Sequence, residues 1–346
     1  MTDMRQQLGY QWACDFLNQQ DHQISSYQIT PVAGDASFRR YFRLHAHSKT
    51  WILMDAPPEH ESIHTFIEIA QSWRTMGLAV PEIYGINQQA GYLLLEDFGD
   101  HLLLTCLQQD PQQASQWYPQ AIDQLILLQT ADISTKTLPS YNSALMLREM
   151  QLFSDWLCIQ GLQLDKNEVE TQCRPLMQTL AHTLPKLPCG PVHRDYHSRN
   201  LLIKPDQSLG IIDFQDAVHG PLCYDLMSIL RDCYIHWPFA QQKAWAQHYF
   251  VQAQKSNLLP EDTDFNTFWK QALRMSVQRH LKASGIFARL YLRDHKTGYL
   301  ADIPTTLNYI QEAATHLPDA ELQQFSLWMQ TQVYPRLADF IAQGQN

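Results

Sequence analysis

The sequence predicts an α+β chain of two lobes: a small N-terminal lobe built on a mixed β-sheet, and a larger, mostly helical C-terminal lobe. Strand-like runs crowd residues 27–98, and helical periodicity fills most of residues 100–346. One strand-turn-strand signal interrupts the helical half between about 190 and 215. The join falls near Glu96-Asp97-Phe98, which gives lobes of residues 1–98 and 99–346.

Met4, Leu8, Trp12 and Phe16 fall four apart and predict an amphipathic first helix packed on the first lobe. Met1 to Gln20 carries Asp3, Arg5 and Asp15 and no continuous apolar run, so it reads as neither a signal peptide nor a membrane span. Tyr27-Gln28-Ile29-Thr30 is a short strand, and Pro31, which has no N–H for a ladder, predicts that it lies at a sheet edge. Gly34-Asp35-Ala36-Ser37 is a loop, Phe38 to Leu44 a second strand, Trp51 to Met54 a third, and Pro57-Pro58 its exit. Ile63, Phe66, Ile67, Ala70 and Trp73 repeat at helical spacing, and Tyr92 to Leu95 reads as a buried strand.

The chain has 346 residues, 45% hydrophobic content and a formal charge of −10. That length buries a large core, and the acidic balance without clustered Lys or Arg argues against a nucleic-acid surface. Seven cysteines show no Cys-x-x-Cys pair and no metal-ligand rhythm, so reduced thiols in a cytoplasmic protein are expected.

The chemistry concentrates in one segment. His193-Arg194-Asp195 is followed five residues after Asp195 by Asn200, and thirteen residues later by Asp213-Phe214. Asp195, Asn200 and Asp213 at fixed offsets arise by chance in roughly 4% of chains this long, and with His193 included in roughly 0.2%. Leu201 to Lys204, a Pro205-Asp206-Gln207-Ser208 turn, and Leu209 to Ile212 read as a hairpin that folds Asp213 back beside Asn200. One amide oxygen and one carboxylate then suit magnesium, a hard cation that takes oxygen ligands and bridges phosphates. Asp195 is the candidate acceptor of a substrate hydroxyl proton, and His193 a prop for its loop.

Around this core, Gly34 and Ser37 are candidates for contact with ATP phosphates, and Glu96 to Phe98 for backbone pairing with adenine. His197 and Arg199 share the loop of Asp195 and are candidates for substrate contact, as is Asp216, while Asp225 reads as an N-cap or loop anchor. Trp237, Tyr234, Phe287 and Tyr291 are either sugar-stacking surfaces or core.

Together these residues resemble the aminoglycoside phosphotransferase-like kinases, which carry a protein-kinase-like fold and act on small molecules. The resemblance spans nearly the full chain. It is strongest in Ile212-Asp213-Phe214-Gln215-Asp216-Ala217-Val218-His219-Gly220-Pro221, and includes Gln278 to Lys282 and Gly285 to Leu290. It implies a branch that uses ATP and magnesium to phosphorylate the 1-hydroxyl of N-acetylated amino sugars, N-acetylmuramate and N-acetylglucosamine, in cell-wall sugar recycling. In-line transfer from Mg-ATP held between lobes is the implied reaction. An acidic acceptor sugar needs a cation, and Arg231, Arg274, Arg279 and Arg289 are its candidates. One departure stands out: Trp51 to Asp55 lacks the lysine that the third strand of such kinases offers to the phosphates, and Arg43 or Arg40 is expected to replace it. Only eleven residues separate Asp213 from Asp225, and there is no Ala-Pro-Glu, which favours a small-molecule acceptor over a protein. An aminoglycoside phosphotransferase and a non-catalytic nucleotide-binding scaffold are the alternatives.

Overall fold

The computed structural model describes residues 3–20, 27–32, 38–46, 49–60, 62–131, 133 and 138–344. Its chain clusters into two compact units. One takes residues 1–103, 131–137 and 200–215, and the other residues 104–130, 138–199 and 216–346. A boundary was expected near residue 98; the leading segment of the first unit runs to residue 103, and the hairpin segment that carries Asn200 and Asp213 groups with the sheet.

The first unit contains α1 (Met4–Gln19), β1 (Gln28–Val32), β2 (Arg40–Ala46), β3 (Lys49–Asp55), α2 (His64–Thr75), β4 (Ile83–Asn87) and β5 (Tyr92–Glu96). The strands lie in the order β1-β2-β3-β5-β4, with β1 at an edge as Pro31 requires. Every pairing is antiparallel, where a mixed sheet was expected. The reason is the return of β5: it inserts between β3 and β4, separating two strands that would otherwise have met in parallel.

The N-terminal helix forms as expected, capped by Asp3, whose carboxylate accepts from the N–H groups of Arg5 and Gln6. It packs through a different face. Met4 and Leu8 are exposed, and the buried residues are Gly9, Ala13, Cys14 and Leu17. Large side chains at four-residue spacing suggested the wrong stripe because the true contact uses small ones. Gly9 sits so close to Tyr92 that a Cβ there would lie 2.9 Å from its ring. Ala13, Cys14 and Leu17 then join Phe42, Leu44, Trp51, Leu53 and Leu94 in one apolar cluster, with Trp12 and Phe16 at its margin.

The second unit contains α3 (Leu103–Gln109), α4 (Ala114–Gln129), α5 (Ser143–Leu152), α6 (Lys166–Thr183) and β6 (Cys189–Val192). Next in the chain come the strands of the hairpin, β7 (Leu201–Ile203) and β8 (Leu209–Ile211), followed by β9 (Val218–Pro221), which pairs antiparallel with β6. The remainder is helical: α7 (Cys223–Leu230), α8 (Phe239–Lys255), α9 (Phe265–Asp294), α10 (Ile303–His316), α11 (Ala320–Trp328) and α12 (Tyr334–Gln343). All seven cysteines are free thiols, six of them buried. No described helix is long and apolar enough to cross a membrane.

The thirty-residue α9 is the axis of this unit, packing on α5, α7 and α10. Its close approach to α5 depends on Gly285, where a Cβ would fall 2.2 Å from the backbone carbon of Leu152. Alanine normally improves a helix interior by about 1 kcal/mol, but backbone cannot yield as a side chain does. Gly285→Ala is therefore expected to lower the unfolding free energy by about 1–3 kcal/mol, read from urea unfolding midpoints; an unchanged or raised midpoint would refute the close packing.

Candidate active site

The loop that carries Asp195 leaves β6 at Val192, and two buried carboxylates hold its ends. Asp225 in the first turn of α7 accepts from the N–H of His193 (2.6 Å) and of Arg194 (3.0 Å). Asp232, just past the end of α7, accepts from the N–H (2.9 Å) and hydroxyl (2.5 Å) of Ser198. Between them Tyr196, fully buried, donates its hydroxyl to the carbonyl of Ala121 at 2.7 Å. Arg194 adopts a left-handed backbone (φ 77°), a conformation that costs of order 1–3 kcal/mol outside glycine and persists where its surroundings impose it. The pair of bonds to Asp225 does so. His193 is buried and its Nδ1 accepts from the N–H of Asp195 at 3.3 Å, the propping position expected of it.

Behind this loop lies a buried ionic group. Glu149 receives the Arg194 guanidinium and the Tyr141 hydroxyl, and Lys282 Nζ lies 3.7 Å from Glu149 and donates to the Tyr224 hydroxyl at 3.1 Å. Burial by itself would push the Asp195 carboxyl up. The positive groups around it, Lys282 foremost, followed by His197, Arg194 and His193, outweigh that and hold it at about 2. Asp225 shows the opposite balance: burial pushes it up to about 7 in spite of the two N–H donors.

In the first unit, the hairpin of β7 and β8 brings Asn200 and Asp213 together as expected. The N–H of Ile212 donates to the Asn200 carbonyl at 3.1 Å, and Asn200 Nδ2 stands 3.4 Å from Asp213 Oδ2. Gln215 Nε2 donates to Asp213 Oδ1 at 2.8 Å, fixing the carboxylate's orientation. Asp213 also has a left-handed backbone (φ 65°). Phe214 beside it is buried against Phe66 (4.7 Å between ring centroids) and Trp73 (5.6 Å) of α2. Among the described residues no group of three or more His, Cys, Asp or Glu is placed to hold a metal. The chemistry of the pair, one carboxylate and one amide oxygen, fits magnesium, which fills its remaining positions with water and phosphate oxygens.

Gly34 and Ser37 lie outside the described residues. Arg40 stands opposite Asp55 in the β2–β3 register, and its guanidinium pairs with Asp55 and Asp3. Asp55 is fully buried and also takes Arg5 of α1 at 2.6 Å. Arg43 is more enclosed, bound to Asp97 (2.6 Å) and Asp100. Lys49 does begin β3, but at its exposed end, opposite Ala46 and far along the strand from Asp55. Glu68 faces solvent beside His64. The Glu96 N–H already donates to the Glu82 carbonyl at 2.8 Å, and its carboxylate takes Arg74. Phe98 is buried against Gly210, where a Cβ would lie 2.4 Å from its ring.

Of the remaining candidates, Arg231 is fully buried, pairs with Glu312 and donates to Ser276 Oγ, out of solvent's reach. Arg274 is held by Asp319, and Arg279 is buried with its guanidinium 3.6 Å from Cys233 Sγ. Asp216 is exposed, and its carbonyl accepts from Arg194. Trp237 is core, donating to the Tyr118 hydroxyl, and Tyr291 packs on Phe340. Arg199 lies over the rings of Tyr234 and Tyr299. Asp232 and Glu149 were not singled out from sequence, and Lys282 entered only within the Gln278–Lys282 run, because the catalytic-loop groups that Asp232 and Glu149 hold lie 34 and 45 residues away and Lys282 meets Tyr224 across 58.

A family model described as phosphotransferase enzyme family matches residues 28–264, a span that includes Asp195, Asn200 and Asp213. The chain belongs to that family. As a family member, it is 36% identical over 297 residues to the N-acetylmuramate/N-acetylglucosamine kinase of Pseudomonas aeruginosa, covering 85% of this chain and 86% of the relative. It is 35% identical over 295 residues to the kinase of the same name from Neisseria meningitidis, covering 83% and 86%. Among solved structures, the ethanolamine kinase of Plasmodium vivax superposes with a TM-score of 0.62 at 12% identity, covering 86% of this chain and 85% of its own. A choline kinase from Cryptosporidium parvum gives 0.63 at 11%, covering 92% and 99%. These two likenesses show that the chain shares its fold with those two kinases.

Proposed function

We propose that this phosphotransferase is an ATP-dependent kinase of the anomeric 1-hydroxyl of N-acetylmuramate and N-acetylglucosamine, acting in cell-wall sugar recycling in the cytoplasm. The observation that carries the reading is 36% identity, over most of both chains, to a kinase of that name. Asp195, on its doubly anchored loop, accepts a hydrogen bond from the sugar hydroxyl and so aims it. A carboxyl held at about 2 is a weak base, so the proton moves late, as the forming bond to phosphorus acidifies the oxygen. Asn200 and Asp213 would hold magnesium, with Gln215 orienting Asp213; the ion would supply positive charge against the negative charge that develops on the transferring phosphate. Positioning and charge neutralisation supply most of the rate.

The triphosphate needs a cation from the sheet, and Arg40 suits this better than Arg43. It stands at the start of β2, three residues after Ser37 in the chain, and its side chain is 36% exposed against 13% for Arg43. Arg40→Ala is expected to raise the KM for ATP about 10- to 150-fold, the loss of one hydrogen bond to a charged group worth about 1.5–3 kcal/mol. Arg43→Ala instead leaves Asp97 buried without its cation and lowers stability by about 3 kcal/mol or more. Unchanged ATP kinetics in Arg40→Ala would remove it from the nucleotide site.

The test of the function is ADP release with N-acetylmuramate, N-acetylglucosamine or an aminoglycoside present. Release that depends on the N-acetylated sugars is expected. Release only with the aminoglycoside would assign a drug phosphotransferase, and none with any acceptor a nucleotide-binding scaffold.

A further inference from the structure

The two sugars named above differ in one substituent, the lactyl ether of N-acetylmuramate with its carboxylate, and the arginines considered from sequence do not share one environment. Arg231 and Arg274 are spent on Glu312 and Asp319, and Arg279 is buried against a thiol. Arg289, on α9, is in no ion pair among the described residues either; Arg199 differs from all of these in sharing the loop of Asp195. Its guanidinium sits 4.3 Å from the Tyr234 ring centroid and 5.4 Å from that of Tyr299, only partly buried, and among the described residues it has no carboxylate within ion-pair distance. The Asp302 carboxyl, pushed up to about 6 by burial, is the nearby acid. Phe287 closes the cup, stacked on Tyr299 at 5.6 Å and tilted against Tyr234 at 6.1 Å.

Stacking of this kind fixes the plane of a guanidinium while leaving its N–H fork available, and that fork matches a carboxylate with two parallel bonds. The cup is rigidly tied to the catalytic loop. Asp232, which anchors Ser198, also accepts from the N–H of Tyr234 at 3.0 Å. Arg199 follows Asp195 by four residues, a span of at most about 14 Å. His197, between them, lies edge-on to Tyr234 at 5.3 Å, and its Nδ1 is buried without a hydrogen-bond partner. A buried polar atom left unsatisfied costs free energy that a ligand hydroxyl recovers.

We propose that Arg199, held between Tyr234 and Tyr299, receives the lactyl carboxylate of N-acetylmuramate and sets the preference between the acidic and the neutral sugar. His197 Nδ1 meets a sugar hydroxyl beside it, and Asp302 accepts from a hydroxyl or the acetamido N–H. This rests on the amino-sugar reading above.

The experiment compares kcat/KM for both sugars in the wild type and in Arg199→Gln, with the methyl ester of N-acetylmuramate as a third substrate. The ratio of N-acetylmuramate to N-acetylglucosamine is expected to fall about 10- to 150-fold in the variant, the loss of one charge-assisted contact. The wild type should show a comparable drop with the ester, a readout that does not depend on the variant folding. A ratio within threefold of wild type, or an ester used as well as the acid, would overturn the assignment while leaving the kinase reading intact. Wild-type protein that turns over neither sugar would overturn both.

Discussion

Asp195→Asn is expected to lower kcat about 10²- to 10⁴-fold, the usual range for a lost acid-base group, with little change in the KM for ATP. The amide keeps the size of the side chain but no longer accepts through two anionic oxygens, so the hydroxyl is neither aimed nor relieved of its proton. The loss of stability should be limited to what the ionised carboxylate contributes, because the neighbouring cations Arg194 and Lys282 retain Glu149 as their partner. A pH signature accompanies this. The folded carboxyl sits at about 2 against an ordinary value of 3.8, so it is ionised at any working pH and gives kcat/KM no acid limb above about pH 4. Its contribution to stability is present above the unfolded value and disappears as pH falls through 2. A wild-type acid limb near pH 5 to 6 that vanishes in Asp195→Asn, or a kcat within tenfold of wild type, would contradict the role.

Asp225→Ala is expected to cost about 2–6 kcal/mol of stability. Two buried N–H donors, those of His193 and Arg194, lose their acceptor at once, and each unsatisfied donor costs about 1–3 kcal/mol. The left-handed backbone of Arg194 loses what imposes it as well, so kcat should fall together with the unfolding midpoint. The linkage has a definite sign. With the folded value raised to about 7 from 3.8, the native state holds a proton that the unfolded state has released between about pH 4 and 7, and stability declines as pH rises through that window. Asp225→Ala should lack that decline. A variant within 1 kcal/mol of wild type, as active and with the same pH slope, would show that the loop holds its shape by other means.

How much of this was legible in the sequence follows from the range of each interaction. The hairpin after Asn200 was readable because its turn residues and apolar runs are adjacent in the chain, and it alone fixes the distance between Asn200 and Asp213. Edge strand β1 was readable from Pro31. Strand β4 was not, since Gly85 interrupts it and Tyr84 and Ile86 stay exposed, a pattern with no buried stripe. The packing face of α1 was misread because Gly9 contributes by being absent in volume. Asp232 and Glu149 act on partners 34 and 45 residues away, and the ion pairs of Arg40 and Arg43 reach across the sheet to carboxylates that no spacing rule connects to them.

The central claim is transfer of a phosphoryl group to the anomeric oxygen of an N-acetylated amino sugar, and ³¹P NMR of the product with proton coupling tests it most directly. The account predicts a phosphomonoester whose phosphorus couples to the anomeric proton, formed from ATP with N-acetylmuramate or N-acetylglucosamine and lost in Asp195→Asn. A phosphoryl group on the C6 hydroxyl oxygen, or ATP converted to ADP and inorganic phosphate with the sugar unchanged, would contradict it.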